Sequence, residues 1–141
     1  MSKPANVNVD PLLLPFLQAP SDDEADTVLA ELISQQADPI VKKIVGYKFQ
    51  VFFRENNRAQ NEDADDVHSE IVLKLLSRLS ELRNNSQLEV IRDFRGYVAV
   101  TSYRACYEYL RRKYPQRYSL KNKLRYFLRH KDGFALWETE G

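Results

Sequence analysis

Val67, Ile71, Leu75, Leu79 and Leu82 recur at intervals of three or four residues through a stretch free of glycine and proline. That spacing gathers all five on one stripe of an α-helix and would scatter them over both faces of a strand. Val72 and Leu76 fall beside the stripe, so the reading is a helix over about residues 62 to 82 with one core-facing side. Glycine is scarce, at 4 of 141 residues, and good helix formers dominate the rest. The expected fold class is therefore all-α, a compact helical bundle of about four to five helices.

Other local signals divide the remainder. Residues 1–20 hold Pro4, Pro11, Pro15 and Pro20 with no apolar period, which predicts a flexible or extended N-terminal arm. Ser21 and Glu24 have the spacing of a capping box, so a helix opens there, buries Val28, Leu29, Leu32 and Ile33, and ends near Gln36. Asp38 followed by Pro39 restarts a helix, with Asp38 as cap and Pro39 in its first position. This helix reaches about Arg54 and carries Ile40, Val41, Ile44, Val45, Tyr47 and Phe49, with Phe52 and Phe53 at its end. Residues 55–61 read as a polar loop, and 83–87 as a break. A further helix begins between Leu88 and Phe94 and runs to Lys113, burying Phe94, Val98, Thr101, Ala105 and either Tyr109 or Leu110. Pro115 ends it. Ser119 then caps a last helix to about Lys131 with Leu120, Leu124, Phe127 and Leu128 inward, and 134–141 forms a tail. Taken as domains, these are the arm at 1–20, a helical domain at 21–114, and a basic helix and tail at 115–141.

Composition narrows the function classes. The apolar content of 43% suits a single domain with a modest core. The lone cysteine, Cys106, excludes an internal disulfide and a cysteine-rich zinc site, and fits a reducing compartment. No apolar run is long enough to span a bilayer, and residues 12–17 lack the flank and cleavage pattern of a secretory signal. The expectation is a soluble cytoplasmic protein without a membrane partner.

The net charge of +1 conceals a strong asymmetry. From Pro4 to Val41 there are seven acids and no Lys or Arg. A second acidic knot comprises Glu62, Asp63, Asp65, Asp66 and Glu70. Between Arg104 and Lys131 there are ten Lys/Arg and one acid, Glu108. Separated charge of this kind suggests two faces with different partners, one of them anionic. Acids at helix N-termini, favoured by the helix dipole, explain Asp22 to Asp26 well and the second knot in part. Cations interleaved with tyrosines suit a phosphate backbone and unstacked bases. Dipole compensation at a helix C-terminus explains two such cations and not ten.

The run DDVHSEIVLKL from Asp65 resembles the "EDLVQEVFLRL" helix of region 2 of bacterial sigma-70-family RNA polymerase sigma factors, the extracytoplasmic-function type above all. Phe94, Arg95 and Tyr97, followed by Arg104, Glu108, Leu110, Arg111 and Arg112, resemble that region's "FRAWLYRIARNLAIDYLRRRRR". The likeness covers roughly residues 27 to 114. The sequence departs from the pattern at His68 (usually aliphatic), Ser69 (usually Gln), Tyr97 (usually Trp) and Arg104 (usually Asn). The family's second DNA-binding domain has no room in this chain.

The resemblance implies a non-enzymatic transcription-initiation domain that binds core RNA polymerase and recognises and melts the promoter minus-ten element. It makes Asp66, Ser69 and Glu70, with Asp65 as neighbour, contacts to the β′ coiled coil of the polymerase, consistent with charge-complementary docking. It makes Arg95, Tyr97, Tyr103, Arg104, Tyr107, Arg111, Arg112 and Lys113 the promoter-DNA contacts. Rings of this kind stack on bases for about 1–3 kcal/mol each. For Tyr97 a core position is an equal alternative. An anti-sigma factor is a further partner that the resemblance implies, and no cofactor or metal is expected. A metal site from Asp63, Asp66, His68 and Glu70 is opposed by the helix wheel, on which His68 lies about 200° from Asp66 and Glu70. Two other functions compete: a HEPN-like RNA-cleaving domain using Arg125 and His130, and a sigma-like protein-interaction module without promoter melting.

Overall fold

The computed structural model describes residues 8–53, 58–85 and 87–130, and every regular element among them is helical. A 3-10 turn (Pro11–Leu13) leads into α1 (Leu14–Leu17). Then follow α2 (Asp22–Leu32), α3 (Asp38–Phe53), α4 (Arg58–Asn84), α5 (Phe94–Lys113) and α6 (Pro115–His130). The all-α expectation holds. The chain divides into two compact units between Cys106 and Tyr107, inside α5.

In the first unit, α4 carries the core stripe. Val67, Ile71, Leu75 and Leu79 have no solvent exposure, and Leu82 is nearly as buried. Burying each such side chain stabilises the fold by about 1.5–3 kcal/mol. They meet α3, which supplies Val41, Ile44, Val45, Phe49, Phe52 and Phe53, while α1 packs on both α2 and α4. Phe52 and Phe53 meet edge to face. Tyr47, placed by periodicity with the apolar set, is exposed instead. Of the polar loop expected at 55–61, residues 58–61 belong instead to α4, which begins at Arg58; residues 54–57 lie outside the described set.

The N-terminal arm requires correction. Residues 8–20 are neither extended nor loose: Val9, Leu13 and Phe16 are buried. Asp10 is the reason. Its Oδ1 accepts the Leu12 N–H at 3.0 Å and caps the 3-10 turn, with Pro11 in the first position where a missing N–H costs nothing. Its Oδ2 accepts the Phe94 N–H at 2.6 Å, and its own N–H donates to the Ile91 carbonyl at 2.9 Å. Arg83 fastens the other end. Its guanidinium donates to the carbonyls of Phe16 (3.1 Å), Ala19 (3.2 Å) and Ser21 (3.3 Å) and lies over the Phe16 ring. Residues 1–7 lie outside the described set.

A second correction concerns Asp38. Ser21 does cap α2, its Oγ accepting the Glu24 N–H at 3.2 Å, but no break follows. Ile33–Ala37 form a π-helical turn that joins α2 to α3 without interruption. Asp38 has helical dihedrals (φ −56°, ψ −43°) and its N–H reaches back five residues to the Ile33 carbonyl. Pro39 would clash with the carbonyl four residues earlier in a regular helix, and the widened turn just before it relieves that clash.

Asp93 caps α5, accepting the Gly96 N–H at 3.0 Å. A Cβ at Gly96 would collide with that carboxylate, so any other residue there would push the cap aside. Along α5 the residues buried after Phe94 and Val98 are Ser102, Ala105, Cys106, Tyr109 and Leu110; Thr101 is only half-buried. In the second unit Tyr114 is the joint. Its N–H closes α5 on the Leu110 carbonyl and its own carbonyl accepts the Tyr118 N–H to open α6. Pro115 therefore ends one helix and starts the next, four residues ahead of Ser119. The expected inward face of α6 is also corrected. Leu120, Leu124 and Phe127 are 68%, 56% and 45% exposed, and no residue of α6 is buried. The tail at 134–141 lies outside the described residues.

Candidate nucleic-acid and partner-binding surfaces

On α4 the buried stripe dictates what the opposite face can offer. At 100° per residue, Asp65, Asp66 and Ser69 lie about 100–160° around the helix from Val67, whereas Glu70 lies only about 60° from it. Asp65, Asp66 and Ser69 are exposed and Glu70 is half-buried. Three polymerase-contact candidates thus face outward on a helix held by a rigid core, with Glu70 at the half-buried edge. Asp63, in the same acidic knot, is 1% exposed and faces inward.

His68 does not join that surface. Its Nε2 contacts Asp38 Oδ1 at 2.5 Å, while Lys42 Nζ lies 3.0 Å from Asp38 Oδ2. Burial alone pushes the Asp38 carboxyl up, but Lys42 and His68 outweigh it and hold it below the ordinary carboxylate value. The pairing ties α3 to α4. Among the described residues, no three or more His, Cys, Asp and Glu side chains gather where they could hold a metal ion.

The DNA-contact candidates are spread along α5. In the first unit, Arg95 and Arg104 are exposed, Tyr103 is 40% exposed and Tyr97 is half-buried. Lys48 Nζ of α3 lies 5.2 Å from the centre of the Tyr103 ring. This cation escaped sequence reasoning because nothing local links residues 48 and 103. Lys48 also stands near the buried Cys106. Burial pushes that thiol up to about 12, with Lys48 opposing weakly, so it stays protonated and inert.

In the second unit, Tyr107, Arg111, Arg112 and Lys113 are exposed. Tyr107 meets Tyr118 of α6 edge to face, with ring centres 6.2 Å apart. Arg112 and Lys113 both lie over the Tyr109 ring, at 5.5 and 5.8 Å. Aromatic faces thus hold part of the cationic cluster in place. Arg125 and His130, the ribonuclease candidates, project about 140° apart around α6. His130 Nδ1–H donates to the Tyr126 carbonyl at 2.8 Å. The pair does not converge on a common point.

Sequence reasoning missed Asp10, Arg83 and the Asp38–His68 pair. Asp10 alone had a local signal, since Asp10–Pro11 has the same cap-then-proline form as Asp38–Pro39. No family model, curated protein or solved structure matches this chain.

Proposed function

We propose that this chain is a transcription-initiation domain of the sigma region 2 type, which binds core RNA polymerase and engages the promoter minus-ten element without catalysis of its own. The observation that carries the reading is the division of labour in the first unit. Helix α4 commits one face to the core and turns Asp65, Asp66 and Ser69 outward, while α5 turns Arg95, Tyr103 and Arg104 to solvent. An acidic surface on a rigid helix suits charge-complementary docking to a basic protein partner. Exposed tyrosine and arginine side by side suit an unstacked, anionic strand. In the second unit, Tyr107, Arg111, Arg112 and Lys113 add cations and a ring of the same chemistry.

The test is capture of core RNA polymerase by the immobilised chain, together with binding of a fluorescent minus-ten single strand. The expected result is that both occur, and that Asp66→Ala with Glu70→Ala weakens polymerase capture while leaving strand binding intact. Capture without strand binding would identify an interaction module that does not melt promoters. Absence of both would overturn the proposal.

A further inference from the structure

Helix α6 holds a feature that the sigma-type reading does not use. Tyr126 and His130, one turn apart, stack with ring centres 4.0 Å apart and planes 23° from parallel. The Nδ1–H of His130, donated to the Tyr126 carbonyl, fixes the imidazole in that plane. Tyr126 is 65% exposed and His130 is exposed as well, so the pair is assembled in open solvent and not in a core. Lys123 and Arg129 stand three residues to either side of Tyr126, which puts them on the same surface of the helix. Within the described part of the second unit there are eight Lys/Arg and one acid, Glu108.

We infer that the Tyr126–His130 pair with its flanking cations is a stacking platform for single-stranded nucleic acid. A pre-stacked, hydrogen-bonded ring pair offers a flat face whose ordering cost is already met. Flat faces beside cations are what sequence-tolerant strand binding requires, since every base has a π-face and every linkage a phosphate. The exposed apolar stripe of Leu120, Leu124 and Phe127 lies roughly 100–160° around the helix from Tyr126. A lipid surface seated on that stripe would leave the ring pair to one side, so the ring geometry favours the nucleic acid. The platform does not rest on the sigma-type reading, because it needs neither polymerase nor a promoter sequence.

The experiment uses the full chain and a fluorescein-labelled twelve-residue oligothymidylate, which contains no minus-ten element, followed by anisotropy. Tyr126→Ala is expected to weaken binding by about fivefold or more, the lower end of what removal of one stack produces. Tyr126→Phe keeps the ring and should stay within about twofold of the parent. Irradiation of the parent chain with a 5-bromouracil oligonucleotide should crosslink at Tyr126 or His130, a readout that stands even if an alanine variant misfolds. Equal binding by the parent and Tyr126→Ala would overturn the assignment, as would crosslinks that all fall elsewhere. So would capture on phosphatidylglycerol vesicles with no oligonucleotide binding. A chain that fails to bind polymerase yet gives the expected crosslink refutes the sigma-type reading alone.

Discussion

The carboxylate of Asp10 accepts the first backbone N–H of α5, that of Phe94, at 2.6 Å across a separation of 84 residues. Its other oxygen caps the 3-10 turn that begins one residue later. One side chain therefore satisfies leading N–H donors of two helical elements, and it fastens the N-terminal turn to the start of α5. Asp10→Ala should cost about 1–2 kcal/mol, the usual loss for an N-cap. Urea titration monitored by circular dichroism would check this. A change within error would mean that water replaces the carboxylate at both ends.

Arg83 makes a companion prediction. Its planar fork reaches four carbonyls, those of Phe16, Leu17, Ala19 and Ser21, and the Phe16 ring at once, a geometry that a lysine ammonium cannot reproduce. Arg83→Lys should behave more like Arg83→Ala than like the parent, with a loss of about 1–3 kcal/mol. Hydrogen exchange should show faster opening of residues 8–20 in both variants, and parent-like protection in the lysine variant would count against the fork.

Cys106 should resist thiol reagents. With its thiol pushed up to about 12 and 1% exposure, the thiolate is scarce and shielded at neutral pH. Labelling by a colorimetric disulfide reagent should be slow in buffer and complete in urea. Rapid labelling of the folded chain would show that this part of α5 opens readily.

Asp38 sets an acid dependence. Its folded-state value is lowered, so its contribution to stability is fully present above the ordinary carboxylate value of 3.8 and is lost as pH falls through the lower folded value. The stability gap between the parent and Asp38→Asn should be largest near neutrality and should close below about pH 4. Urea midpoints measured from pH 7 to pH 2.5 would reveal the trend. A gap that widens on acidification would have the wrong sign for a paired carboxylate.

Arg111→Ala combined with Arg112→Ala should lower DNA affinity and flatten its salt dependence. For every phosphate left without its cation, the slope of log K against log salt shrinks by about 0.7–0.9. Anisotropy between 50 and 200 mM salt measures this, and an unchanged slope would remove both arginines from the DNA surface.

How far the sequence discloses this molecule depends on how local each cause is. The stripe from Val67 to Leu82 is readable because four of its five members share a four-residue spacing and all face one core. The Ser21 cap is readable for the same reason, being contained within four residues. Asp–Pro occurs twice with opposite outcomes: Asp10 caps, whereas Asp38 lies mid-helix and spends its carboxylate on Lys42 and His68. Local chemistry allows both, and tertiary partners decide. Leu120, Leu124 and Phe127 show the converse limit. Their period marks a face correctly, but period says nothing about whether anything covers that face. Of the site candidates, exposure on α4 could be deduced by elimination from the buried stripe, while Lys48 over Tyr103 could not, because it joins two helices.

The π-turn at Ile33–Ala37 makes Asp22 to Phe53 a single rod with an altered winding in its middle. Its two halves are phased relative to each other by how many residues lie between them, not by which residues those are. Substitutions at the exposed Ser34 or Gln35 should therefore be absorbed easily. Deleting either residue would remove the one that the widened turn accommodates and close it to an ordinary α-turn, setting the Pro39 ring against the carbonyl four residues before it. In this segment the count of residues is constrained more tightly than their identity.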